Sequence, residues 1–94
     1  MTKVPEIEVI KADGTSEPFN VEKIVKSLHA ACLSAGGFEG EAQDIAKIAS
    51  KEVWDWVEEK KVITTKEIRS LATEILENYS PDAAYLYQTY KKII

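Results

Sequence analysis

The sequence predicts an α+β fold: a four-helix bundle capped by a small β-hairpin or a three-stranded sheet. Three observations predict it. Two short segments of alternating character flank an Asp13-Gly14 pair near the start of the chain. Four later stretches repeat apolar residues at the helical period, punctuated by capping residues and glycines. A single apolar pair, Val62-Ile63, lies between the second and third of these stretches and suffices for one small strand.

In the opening segment Ile7, Val9 and Lys11 point one way, and Glu8, Ile10 and Ala12 the other. Asp13-Gly14 reads as a two-residue turn with both central residues at positive φ. Residues 15–19 form the return strand. Pro18 has no N–H to give to a neighbour, so this strand belongs at a sheet edge. Asn20 is an N-cap for a first helix starting at Val21. Its buried stripe is Val21, Ile24, Val25, Leu28, Ala31 and Cys32, and Ala35-Gly36-Gly37 ends it. Residues 36–40, with Phe38 at their centre, read as a loop of high mobility.

The second helix is expected over about residues 41–60, burying Ala42, Ile45, Ala46, Ala49, Val53, Trp56 and Val57. Trp54 lies about 110° from the centre of that stripe, so it packs on a second element or is partly exposed. Thr64 and Glu67 match a capping box at the start of a third helix. That helix turns Ile68, Leu71, Ala72, Ile75 and Leu76 inward and stops near Tyr79. Ser80-Pro81 restarts the chain as an N-cap and first helical residue. The fourth helix has Ala83, Leu86, Tyr87, Tyr90 and Ile94 on one side.

The chain has 94 residues with a formal charge of -4, which fits a single domain over residues 1–94. The acidic balance speaks against direct nucleic-acid binding, which needs a concentrated basic face. No apolar run reaches membrane-spanning length, and charged residues interrupt the first eleven positions where a signal peptide would be apolar. The one cysteine, Cys32, suits a reducing compartment, so the expected location is the cytoplasm. Cys32 falls on an apolar stripe and reads as a buried, inert thiol.

An enzyme is not expected. His29 is the only histidine and sits at the margin of the first helix stripe. Ser27 and Ser34 lack a nucleophile elbow, and the glycine-rich segment 35–40 is not followed by the lysine of a phosphate loop. Glu58-Glu59-Lys60-Lys61 and Lys91-Lys92 read as solvated helix ends. Lys11, Glu17 and Lys23 are harder to explain by fold alone. The hairpin brings them together at the start of the first helix, where the Lys23 cation opposes the positive end of the dipole. Two readings stand: an anion held between the lysines beside the helix N–H groups, or two solvated side chains.

The residues also carry a resemblance. Val9-Ile10-Lys11-Ala12-Asp13-Gly14, then Glu17-Pro18-Phe19 and Glu22-Lys23-Ile24, resemble the opening of the ATP-cone domain. The segment from Val62-Ile63-Thr64 to Ile68, and Pro81, Ala84, Tyr87 and Tyr90, resemble its later helices, so the likeness runs from about Val4 to Lys91. The resemblance implies a non-catalytic regulatory domain that takes ATP or dATP as effector, with or without Mg²⁺. It implies action on a larger enzyme or partner protein, covalently continuous or separate, and a homo-oligomer is among the possible outcomes. Such domains regulate ribonucleotide reductase activity or the expression of reductase genes.

By the same resemblance Lys11 and Lys23 contact phosphate, Val9 and Ile24 line the base pocket, and Glu17 contacts the base at the rim. Thr65 offers a hydroxyl at the start of the third helix, and Arg69 lies near the sugar. Ala12 departs from the pattern, standing where the family usually has an arginine that grips phosphate in a fork. The alternative expectation is a protein-interaction module that kept the fold and weakened or lost the ligand. Its anchors would be Trp54 and the aromatic residues Tyr85, Tyr87 and Tyr90.

Overall fold

The computed structural model describes residues 7–89. In chain order these form β1 (Glu8–Ile10), β2 (Ser16–Pro18), α1 (Val21–Ser34), α2 (Glu39–Val57), β3 (Val62–Thr64), α3 (Thr65–Glu77) and α4 (Pro81–Thr89). This is the expected α+β class, with the sheet three-stranded. Tyr90, Lys91, Lys92 and Ile94 lie outside the described residues.

The sheet order is β2-β1-β3, so the Pro18 strand is at an edge as the missing N–H requires. β1 pairs antiparallel with β2, Val9 opposite Glu17, and parallel with β3, Val9 beside Ile63. Alternation along β1 buries Ile7 and Val9 and leaves Glu8 exposed. The parallel pairing needs a long crossover, which α1 and α2 supply. The helices close a ring: α1 packs on α2 and α4, and α3 on α2 and α4. Leu28, Val53, Ile63, Ile68, Leu76 and Tyr87 fill the one core between ring and sheet.

Several boundaries depart from the sequence reading. The hairpin turn has positive φ only at Gly14 (+89°) and not at Asp13. The Gly14 N–H reaches the Lys11 carbonyl (2.9 Å) and the Lys11 N–H the Thr15 carbonyl (2.8 Å). The loop is therefore three residues with a glycine bulge, a turn that needs one left-handed residue rather than two. Asp13 instead accepts from the Thr15 N–H (3.0 Å) and the Thr15 hydroxyl (2.6 Å). Those donors hold its carboxyl below the usual range.

At the other end of α1 the closure is the expected one. Gly36 has φ +92°, its N–H bonds the Leu33 carbonyl, and the Gly37 N–H bonds the Cys32 carbonyl, each at 3.0 Å. Val21 is exposed and Val25 only half-buried, and the buried stripe extends instead to Ser27 on its other margin.

α2 begins at Glu39, earlier than expected, so residues 39 and 40 are helical rather than loop. Phe38 takes the N-cap position with no side-chain bond, and Glu39 and Glu41 in the first turn favour the positive end of the dipole. The helix ends at Val57, three residues before its expected limit. Its buried face is rolled toward Ser50, which turns Trp56, expected on the stripe, outward. Trp56 is exposed, with the Lys60 ammonium 4.7 Å from its ring centroid. Trp54 is half-buried and stacks on Phe19 with ring centroids 5.7 Å apart. Periodicity within one helix does not see Phe19 arriving from the β2–α1 corner.

α3 and α4 follow the sequence closely. Thr64 and Glu67 make both halves of the capping box. The Ser80 hydroxyl accepts from the Ala83 N–H (3.2 Å) ahead of Pro81. Leu71 and Ile75 are half-buried, and Ala84 joins Ala83 and Tyr87 on the buried side of α4, with Leu86 half-buried.

Candidate nucleotide cleft

A cleft of about 300 Å³ opens where the hairpin, the start of α1 and the start of α3 meet. β1 supplies Val9 and, just past its end, Lys11. These are two positions apart, so the pleat turns both to the same side. Glu17 is directly opposite Val9 on β2 and shares that face. Asn20 and Phe19 form the corner, Lys23 and Ile24 come from the first turns of α1, and Thr65, Ile68 and Arg69 from those of α3. All seven residues singled out from sequence, Val9, Lys11, Glu17, Lys23, Ile24, Thr65 and Arg69, line this one cleft.

Its electrostatics centre on Glu17. Lys11 Nζ is 3.3 Å from one carboxylate oxygen and Lys23 Nζ is 3.6 Å from the other. The two ammonium groups therefore converge, and the carboxylate between them offsets their repulsion. Each pair is partly solvent-exposed and contributes only about 0–1 kcal/mol to stability. Two helix N-termini point here as well. At α1 the Asn20 side chain accepts from the Glu22 N–H (2.9 Å), and at α3 the Thr64–Glu67 box fixes the first turn. Both ends carry the positive partial charge that favours an anion. The apolar wall is Val9, Ile24 and Ile68, all buried. The cavity is at the small end of the range for small-molecule sites.

Sequence reasoning missed Pro18, Phe19, Asn20 and Ile68 as lining residues. The first three stand between Glu17 and Lys23 in the chain, so any cleft holding both ends must include them. Ile68 is three residues after Thr65, on the same face of α3. Ala12 is exposed in the turn and does not line the cleft, whereas Arg69 does so from α3.

A wider groove of about 820 Å³ runs between α1 and α2 and shares residues 17–20 and Lys23 with the cleft. It is the larger cavity, and beyond the shared corner it is lined by Val21, Glu22, Val25, Lys47, Ser50, Lys51 and Trp54. The convergence of cations on one carboxylate, which bears on phosphate, belongs to the smaller cleft.

The other sequence candidates lie elsewhere. His29 is half-buried on α1, with Nε2 3.0 Å from a Glu39 carboxylate oxygen at an angle that makes no hydrogen bond. Cys32 is buried, and burial, with the Glu41 charge adding to it, pushes its thiol up. Of the proposed aromatic anchors, Trp54 packs on Phe19 and Tyr87 is fully buried, while Tyr85 is exposed. Among the described residues no helix is long and apolar enough to cross a membrane.

A family model described as the ATP cone domain matches residues 7–93. No curated protein matches the chain.

Proposed function

The chain belongs to the ATP-cone domain family, whose members are nucleotide-binding regulatory modules taking ATP or dATP, and from that premise we propose that the hairpin cleft is its effector site. The triphosphate lies between Lys11 and Lys23, close to the N-termini of α1 and α3, with Arg69 supplying a further cation from the α3 side. Adenine rests on Val9, Ile24 and Ile68, with Glu17 at the rim contacting its edge and Thr65 offering a hydroxyl. Among the described residues Glu17 is the only carboxylate on the lining. This suits a magnesium ion that arrives on the phosphates with most of its waters, rather than one caged by protein.

The observation that carries the reading is the meeting of two ammonium groups on one carboxylate at the mouth of an apolar slot. The nucleotide is held and not cleaved. Glu17 is engaged by both lysines and is not poised to take a proton from an attacking water.

Residues 1–94 act as one domain whose output is exerted on a larger enzyme or partner, covalently continuous or separate. Control of ribonucleotide reductase activity or expression, in the cytoplasm, is the setting that the family supplies. A change of assembly state on binding, a homo-oligomer included, is the form of output proposed.

Calorimetric titration with ATP and with dATP, in the presence of Mg²⁺, tests the site. We expect saturable binding that weakens at least about tenfold in Lys11→Ala and in Lys23→Ala, since each removes a charge-assisted contact. The absence of heat and of thermal shift at millimolar nucleotide overturns the assignment, and unchanged affinity in both variants moves the site elsewhere.

A further inference from the structure

We propose that Glu17 is a built-in competitor for phosphate, which disfavours bare polyphosphate relative to ligands that also bring a base. The inference rests on the nucleotide reading above and adds a specificity rule to it.

The two oxygens of Glu17 are divided, one for Lys11 at 3.3 Å and one for Lys23 at 3.6 Å. A phosphate chain that takes both lysines must replace both contacts or stand beside the carboxylate and be repelled by it. The Glu17 backbone is held in β2 opposite Val9, so its carboxylate stays within side-chain reach of the cleft. An inorganic anion gains nothing from the cleft except the lysines and the helix termini, so the competition removes most of its gain. A nucleotide also covers Val9, Ile24 and Ile68, and its base brings an edge to the Glu17 carboxylate, two gains that bare polyphosphate lacks. The carboxylate therefore opposes every polyphosphate, and only a nucleotide offers it a base edge in return. Discrimination of this kind comes from placing a repulsive element against the wrong ligand.

The test compares wild type and Glu17→Gln, which keeps the side-chain shape and removes the charge. Titrations use inorganic tripolyphosphate in metal-free buffer, so that no cation bridges phosphate to carboxylate, and ATP in parallel. We expect Glu17→Gln to bind tripolyphosphate about three- to tenfold more tightly than wild type, and the preference for ATP over tripolyphosphate to fall by a similar factor. Tripolyphosphate affinity that is unchanged or weaker in Glu17→Gln, with ATP still binding wild type, overturns the competitor role and leaves the nucleotide site standing. Failure of both proteins to bind either ligand overturns both.

Discussion

The Tyr87 hydroxyl illustrates how much one atom decides in this core. Ser27 Oγ donates to the Ile24 carbonyl at 2.9 Å, so its single proton is committed. The Tyr87 hydroxyl, 3.0 Å away, is therefore the donor to Ser27. This ties α4 to the segment of α1 whose Ile24 lines the cleft. Tyr87→Phe keeps the ring and loses the bond, at an expected cost of about 1 kcal/mol in urea unfolding. Burial holds the Tyr87 phenol above its ordinary 10.0, with the Arg69 charge opposing. The folded state thus binds this proton more tightly than the unfolded chain. The contribution is complete below pH 10 and is lost as pH rises through the folded pKa. The stability advantage of wild type over Tyr87→Phe should accordingly shrink above pH 10. A constant difference through the alkaline range would contradict that sign.

At the scale of elements, two helix ends do different jobs. The capping box of α3 fixes the turn that presents Thr65, Ile68 and Arg69 to the cleft. The glycine closure of α1 lies at the far end of that helix from Lys23. Thr64→Ala should cost about 1 kcal/mol and also weaken ATP binding, because it loosens a wall of the cleft. Gly36→Ala should cost about 1–2 kcal/mol while leaving affinity unchanged. Its added Cβ meets nothing within 4 Å, so the whole cost is the backbone conformation at φ +92°. Parallel unfolding and ATP titrations of the two variants separate stability from site geometry.

Across the whole molecule, the corner at residues 17–20 is a wall with two sides. One side lines the cleft, the other lines the groove between α1 and α2, and Phe19 belongs to both. Because Phe19 stacks on Trp54, a ligand seated in the cleft should alter Trp54 emission although Trp54 does not line it. ATP should change fluorescence in wild type and in Trp56→Phe, and the change should vanish in Trp54→Phe. A signal that survives in Trp54→Phe places the response at the exposed Trp56 instead.

The helices, most of their caps, the edge position of the proline strand and the Lys11, Glu17 and Lys23 cluster were legible from local pattern. Capping, alternation and apolar spacing act over a few residues, and the motif resemblance joined the cleft residues across the chain. The bulged hairpin turn, the early start of α2 and the exposure of Trp56 were not legible. The roll of α2 depends on what packs against it from other elements, while the turn and the helix start rest on local hydrogen bonds that residue types alone leave open. By itself the sequence determined which residues are polar, apolar or helix-starting. Only the tertiary structure decided that Lys11 and Lys23 share one carboxylate, because a distance between two side chains is set by packing and not by spacing along the chain.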